Sequence, residues 1–205
     1  MAEVVYKISF TTGGLFYREA VRTAELYFQS NDWSLVRSEI LRKNLLKTRT
    51  QSSLVRTARE LIQRLQVLTD DQLLILVDGT RQEQNQTLWL AVCKQYRFVR
   101  EFAVEVVREK YLRLDLEVSY RDFDTFFNAK SEWNEGLDHT KESTRKKLRQ
   151  VLFRILTEAD IISSSNMILP MFISPRLAKA IGDDEAKYFS VFPITEGDVR
   201  KYKKL

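Results

Sequence analysis

Turn-forming residues are scarce in this chain, and that scarcity limits what it can fold into. Its 205 residues include only six glycines and three prolines. An all-β sandwich or a doubly wound α/β fold needs many more tight turns, which favour glycine and proline. Because 44% of the residues are apolar and 30% are charged, the chain can also bury a substantial core. We therefore predict a compact, all-α globular protein.

Apolar residues recur at helical spacing along most of the chain. The predicted helices cover about 14–29, 33–44, 52–68, 70–78, 81–96, 98–114, 120–134, 144–156, 175–181 and 195–203. Residues 1–12 are expected to form a short extended arm, and 161–174 either a short hairpin or an irregular loop. We expect an N-terminal helical region, 1–78, and a C-terminal one, 79–205, unless the two form one compact unit.

Neither a disulfide nor a membrane segment is expected. The single cysteine, Cys93, lies in the apolar stretch WLAVCKQY and is interpreted as a small core residue in a reducing compartment. The start, MAEVVYKISF, lacks the pattern of a secretion signal. The longest stretch without charged residues, 161–175, is too short and too polar to span a bilayer. The sequence thus predicts a soluble, cytoplasmic protein.

Charge is distributed unevenly along the chain. The net charge is +5. Residues 1–68 carry 11 basic and 6 acidic side chains, 69–140 carry 9 and 14, and 141–205 carry 13 and 8. Two basic regions therefore flank an acidic middle. This pattern is expected of a protein that meets phosphate backbones in two places.

The most basic helix is TRKKLRQVLFRIL, residues 144–156, in which five of thirteen residues are Lys or Arg. Its apolar residues form one stripe that should pack on the protein. The opposite face carries Lys146, Lys147, Gln150 and Arg154, with Arg149 at its edge. No acidic residue lies between Glu142 and Glu158, so ion pairing within the helix is not expected to be the purpose of this face.

A second basic face is predicted on the helix at 52–68. Arg56, Arg59 and Gln63 should lie on its outer side, where Glu60 is expected to dilute the positive charge. Lys47 and Arg49 belong to the turn LLKTRTQ just before it. The candidate DNA-binding residues are Lys47, Arg49, Arg56, Arg59, Gln63, Lys146, Lys147, Arg149, Gln150 and Arg154.

The order of elements around the helix at 144–156 suggests how these faces could act. Two helices precede it, and the hairpin predicted as one alternative would follow it as a wing. This is the order of a winged helix-turn-helix, whose third helix enters the major groove. Lys and Arg contact phosphates, whereas Arg and Gln can also read base edges. The alternatives are solvated surface helices and faces that dock on acidic partner proteins. RNA binding has less support, because no RNA-recognition motif is present.

Catalytic and cofactor motifs are weak throughout. His139 is the only histidine and has no Cys or His cluster beside it, so a metal site is not expected. The sequence offers no convincing Ser–His–Asp or Cys–His arrangement either. The stretch TTGGLF, residues 11–16, lacks the pattern of a nucleotide-binding loop and is interpreted as a flexible entry to the first helix. We predict a protein that is not an enzyme and that needs no cofactor or metal.

Three stretches resemble a known family: YKISFTTGGLFYREA, LWLAVCKQYRFVREFAVEVVREKYL and TRKKLRQVLFRILTEADII. They are similar to the BrxA family, a core component of bacteriophage exclusion (BREX) defence systems. The resemblance covers nearly the whole chain, and SFTTGGLF is its most specific part. It implies an all-α monomer with two helix-turn-helix elements that binds double-stranded DNA beside the methyltransferase, ATPase and other subunits of the system. It offers no catalytic residue to carry over.

Overall fold

The predicted fold class is confirmed. The computed structural model describes residues 6–204, and within that range the regular secondary structure is helical. The α-helices are α1 Tyr17–Ser30, α2 Trp33–Lys43, α3 Gln51–Leu65, α4 Asp70–Asp78, α5 Arg81–Gln95, α6 Arg97–Phe102, α7 Glu109–Leu112, α8 Tyr120–Ser131, α9 Glu135–Asp138, α10 Glu142–Glu158, α11 Pro175–Glu185 and α12 Glu196–Tyr202. A π-helical segment, Ala103–Arg108, joins α6 to α7, and two 3-10 turns span Ser9–Thr11 and Ala186–Val191.

Most of the helices begin at a side-chain cap that the sequence already suggests. Thr69 and Gln72 form the capping box of α4, as their spacing predicted. Thr140 and Ser143 flank the start of α10 and have side chains suited to capping, but neither caps it. Its N-cap residue is Lys141, whose side chain makes no capping hydrogen bond, and Thr140 instead donates to the carbonyl of Gly136 at 3.0 Å.

The segment after α10 turns back on itself without forming regular strands. Within the described residues, an antiparallel bridge links Ile162 to Ile168, and a second one links Glu117 to Met167. The amide of Ser163 donates to the carbonyl of Met167 at 2.8 Å. Of the two expectations for 161–174, this short hairpin-like return is closer to the first. It also pairs with the segment that precedes α8.

One large hydrophobic cluster takes side chains from both ends of the chain. Phe10, Trp89, Phe98 and Leu152 are each fully buried in it. Cys93 lies there too, so its interpretation as a core residue is confirmed, and burial raises the pKa of its thiol. A smaller cluster packs α2 on α3 through Val36, Ile40, Leu54, Ala58 and Ile62.

The described part of the predicted arm is packed rather than extended. Residues 1–5 of the predicted arm lie outside the described range, but Ser9–Thr11 form a 3-10 turn that buries Phe10. Helix α1 begins at Tyr17 and not at Gly14, because Gly13 and Phe16 adopt left-handed backbone conformations with φ of 83° and 61°. An α-helix cannot continue through such residues.

Two large aromatic residues at helical spacing are exposed. Phe28, near the end of α1, is 42% exposed, and Trp133, just after α8, is 85% exposed. Phe28 stands two residues before the end of α1, and Trp133 two residues beyond the end of α8. No helix among residues 6–204 is both long and apolar enough to span a bilayer.

Candidate nucleic-acid interface

Helix α10 has the two faces that its sequence predicted. Leu148, Leu152 and Ile155 are completely buried on the inner side. Lys146, Lys147, Gln150 and Arg154 are exposed on the outer side. The buried stripe holds the helix on the core, so the outer face has a fixed orientation toward solvent.

Ion pairing within the helix was not expected to be the purpose of this face, yet ion pairs form at both of its ends. The ammonium of Lys146 lies 3.7 Å from the Glu142 carboxylate, and Arg154 lies 2.6 Å from that of Glu158. Glu142 and Glu158 flank the basic stretch, and each pairs with a basic residue one helical turn away within it. Between them, Lys147 donates a hydrogen bond to Gln150 at 3.2 Å, so its positive charge is the least compensated on the face.

Arg149 stands at the edge of the face, as predicted, and it is held by helix α8. Its guanidinium lies 2.6 Å from the Asp124 carboxylate and 4.7 Å from the centre of the Tyr120 ring. Arg145 pairs with the same carboxylate at 3.1 Å. These contacts fix α8 against α10. They also leave Arg149 less available to a ligand than Lys147.

The outer face of α3 differs from its prediction at one residue. Arg56 and Arg59 are exposed, and the half-buried Gln63 accepts a hydrogen bond from Lys7 at 2.9 Å. Glu60, however, is only 4% exposed. Its carboxylate pairs with Arg64 at 2.9 Å and accepts from the Tyr96 hydroxyl. Glu60 therefore does not dilute the basic face, and that expectation was wrong.

The buried Glu60–Arg64 pair affects the pKa of the Tyr96 hydroxyl. Burial raises the pKa of its hydroxyl, the nearby Arg64 lowers it, and the hydrogen bond to Glu60 raises it again, to about 12. Tyr96 thus stays protonated at neutral pH and donates to the Glu60 carboxylate. Sequence reasoning missed this cluster, because Glu60 and Tyr96 are 36 positions apart.

The turn between α2 and α3 presents its two basic side chains to solvent. Asn44 and Lys47 adopt left-handed conformations, with φ of 46° and 49°. The Asn44 side chain accepts from the amide of Thr48 at 3.1 Å and donates to its carbonyl at 3.0 Å. This local bonding gives the turn a defined shape, and it leaves both Lys47 and Arg49 exposed.

The TTGGLF stretch is hydrogen-bonded to two helices that are distant in the sequence. The expectation that it forms a flexible connection to the first helix was therefore wrong. The amide of Leu15 donates to the Glu158 carboxylate of α10 at 2.5 Å. Arg64 of α3 donates to the carbonyl of Gly14 at 2.7 Å. The stretch therefore contacts both basic helices. No local sequence pattern predicts these contacts with Glu158 and Arg64.

Two adjoining clefts open beside α1. The first, of about 270 Å³, is lined by Arg18, Glu19, Arg22, Thr23, Leu45, Leu46 and Lys47. The second, of about 560 Å³, is lined by Gly14, Leu15, Phe16, Tyr17, Arg18, Glu19, Arg81, Arg154 and Glu158. Arg18 and Glu19 line both clefts. The structure thus places Lys47 of the first basic region in one cleft and Arg154 of the second in the adjoining one.

No metal centre is assembled among residues 6–204: they contain no group of three His, Cys, Asp or Glu side chains placed to hold an ion. The side chain of His139 is exposed and lies 3.6 Å from the Asp138 carboxylate. Asp184 pairs with Lys94 at 2.9 Å, and this ion pair links α11 to α5.

Comparisons with known proteins give consistent results. The family model described as BrxA matches residues 5–184. The chain is 25% identical to the BREX protein BrxA of Bacillus cereus (strain H3081.97), over 79% of this chain and 81% of that one. It is 23% identical to the BREX protein BrxA of Escherichia coli O9:H4 (strain HS), over 74% and 71% of the two chains.

A solved structure shares the fold. The crystal structure of an uncharacterized protein from Magnetospirillum magneticum superposes with a TM-score of 0.80. The superposition covers 92% of this chain and 99% of the other at 21% sequence identity. At that identity the likeness concerns the fold alone.

Proposed function

The chain belongs to the BrxA family of BREX phage-defence proteins, and we propose that it is a non-catalytic accessory protein that binds double-stranded DNA in the cytoplasm. In this proposal it acts as a monomer and works beside other BREX subunits, including the methyltransferase and the ATPase. Lys47, Arg49, Arg56, Arg59 and Gln63 form one contact region. The second consists of Lys146, Lys147, Arg149, Gln150 and Arg154.

The observation that carries the proposal is the outer face of α10. It exposes two lysines, a glutamine and an arginine on a helix whose other side is anchored in the core. Lysine and arginine neutralise phosphates, and glutamine can also contact base edges. Because the helix is held rigidly, little conformational entropy has to be lost when it enters a groove.

The elements around α10 support a winged helix-turn-helix reading. A short segment at Glu117 pairs with Met167, then α8 and α10 follow, and the chain returns through the bridge between Ile162 and Ile168. Residues 132–141, which include α9, separate α8 from α10. This connection is longer than the turn of about three to four residues in a simple helix-turn-helix. We propose α10 as the recognition helix and the 161–169 return as its wing.

The second candidate function is an adaptor that docks on acidic partner proteins. The observation that favours it is the pairing of Lys146 and Arg154 with carboxylates at 3.7 and 2.6 Å. An acidic protein surface would offer the same groups. The two functions differ in what they bind at low salt, so one titration separates them.

The experiment is a titration of duplex DNA at several salt concentrations, with single strands and RNA as competitors. If roughly 4–6 phosphates are neutralised, the slope of log K against log salt should be about −4 to −5. Little dependence on DNA sequence is expected, because backbone contacts carry no sequence information. A protein that fails to bind duplex DNA at low salt would refute the proposal and favour the adaptor.

A further inference from the structure

Helix α1 lies between the two basic regions and carries cations that neither region includes. Arg18 and Arg22 are four residues apart, so they project from one face of the helix about 6 Å apart along its axis. Both are exposed. Arg22 pairs with Glu25 at 2.8 Å on the surface, and no carboxylate of residues 6–204 lies within ion-pair distance of Arg18. Charge on this face is therefore available to a ligand.

The two clefts beside α1 connect this face to both proposed contact regions. Lys47 lines the first cleft together with Arg18 and Arg22. Arg154 lines the second together with Arg18 and Arg81. Because Arg18 lines both, the cations of the two clefts lie on adjoining parts of the surface. They extend from the turn before α3 to α10.

Two of these side chains are held in place by the protein itself. The guanidinium of Arg81 lies 3.2 Å from the centre of the Tyr17 ring, and Arg154 is paired with Glu158. The other carboxylate oxygen of Glu158 accepts from the Leu15 amide at 2.5 Å. The negative charge of Glu158 is therefore largely used within the protein. Glu19 also lines both clefts, and its negative charge would repel an anionic ligand there.

From this arrangement we infer that Arg18, Arg22 and Arg81 join Lys47 and Arg154 in one continuous phosphate-binding track along which a single DNA duplex lies. The inference rests on the proposed function and deepens it, since it replaces two separate contact regions by one. Guanidinium groups suit this role because they bind phosphate oxygens through paired N–H donors. Such contacts would hold the duplex without reading its sequence.

The test replaces Arg18 and Arg22 with alanine in the full chain and measures binding of a short duplex at several salt concentrations. Two lost phosphate contacts should weaken binding roughly 10- to 100-fold near 0.1 M salt and reduce the salt slope by about 2. Circular dichroism should be unchanged, because Arg22 has only its surface pair to lose. The unchanged protein should bind one short duplex per chain.

Three further variants separate the track from a general loss of positive charge. Arg113→Ala with Arg200→Ala removes two exposed arginines that line neither cleft, and it should leave affinity nearly unchanged. Arg18→Lys with Arg22→Lys keeps both charges and should retain most of the salt slope. Glu19→Gln removes the opposing acid and should strengthen binding several-fold.

The outcomes also separate this inference from the proposed function. If the Arg18 and Arg22 alanine variant binds like the unchanged protein while Lys146→Glu with Lys147→Glu loses affinity, the track is wrong and the proposed function stands. Two short duplexes bound per chain would likewise refute the track alone. If the unchanged protein fails to bind duplex DNA at low salt, the track and the proposed function are both refuted.

Discussion

At the scale of single residues, Gly14 has a role that can be tested against a second glycine. A Cβ at Gly14 would overlap the carboxylate of Glu158. That carboxylate could move away, but it would then leave the buried amide of Leu15 without its acceptor. An unsatisfied buried amide costs about 1–3 kcal/mol. We expect Gly14→Ala to lower the free energy of unfolding by about that amount, as measured by urea denaturation.

Gly182 is the matched control for this prediction. It is an exposed residue within α11, and a Cβ there would meet no atom within 4 Å. Alanine is favoured over glycine inside a helix, so Gly182→Ala should raise the free energy of unfolding by about 0.5–1 kcal/mol. If the Gly14 variant is as stable as the unchanged protein, the tie to Glu158 contributes nothing.

Glu101 links stability to pH. Burial raises the pKa of its carboxyl, but hydrogen bonds from Lys130, Tyr6 and Arg97 lower it more, so the pKa lies below its ordinary value. Because the pKa of this carboxyl is lower in the folded state than in the unfolded state, its ionisation stabilises the fold at pH values above the unfolded-state pKa, near 4.3. This stabilisation is lost as the pH falls through the folded-state pKa. Glu101→Gln should therefore be less stable than the unchanged protein at pH 7.

The same prediction requires that this difference shrink when stability is measured by urea denaturation below about pH 4. The exposed Glu132→Gln is the control, and it should change stability little at either pH. A difference between Glu101→Gln and the unchanged protein that stays constant from pH 7 to pH 3 would contradict the ion-pair explanation.

At the scale of elements, the two basic helices can be tested separately. Lys146→Glu with Lys147→Glu on α10, and Arg56→Glu with Arg59→Glu on α3, should each weaken DNA binding. These side chains are exposed, so each substitution should change stability by no more than about 0.5 kcal/mol. Because Glu60 is buried and does not dilute the face of α3, we expect effects of similar size.

The packed side of α10 provides the opposite control. Leu152 and Ile155 are fully buried, and alanine at either position should cost about 2–5 kcal/mol. Binding and circular dichroism are measured on the same samples. If the Lys146 and Lys147 reversal keeps full affinity and a native spectrum, α10 is only a solvated surface helix.

At the scale of the whole molecule, a buried ion pair joins the chain's beginning to its middle. Arg64 pairs with Glu60 and donates to the carbonyl of Gly14, while Glu60 accepts from Tyr96 of the α5–α6 junction. Removing one partner leaves an uncompensated buried charge, which costs about 3–5 kcal/mol. We expect Arg64→Met to lower the free energy of unfolding by that amount, and the exposed Arg59→Met to change it little.

Because the main hydrophobic cluster contains residues of both halves, we also propose that 1–78 and 79–205 unfold together. Thermal unfolding followed by near- and far-ultraviolet circular dichroism should then give one coincident transition. Two transitions, of which Arg64→Met shifts only one, would show that the halves are separate domains.

The sequence by itself determined the helices and their two-sided character. Helical spacing and capping depend on residues within a turn or two of each other, so the bounds of α4 and the buried stripe of α10 could be predicted. Local pattern does not decide between a hairpin and an irregular loop for 161–174, because one of the two bridges in this region joins Glu117 to the distant Met167.

The tertiary structure alone decided which charges face solvent and which hold the fold together. Glu60 and Arg64 lie on a helix with an exposed basic side, yet both are buried, where they bond to Tyr96 and to the Gly14 carbonyl. The sequence pattern does not single out Arg18. In the structure, Arg18 lines one cleft together with Lys47 and the adjoining cleft together with Arg154. Burial and charge neighbourhoods depend on contacts between residues far apart in the chain, and a local pattern does not contain them.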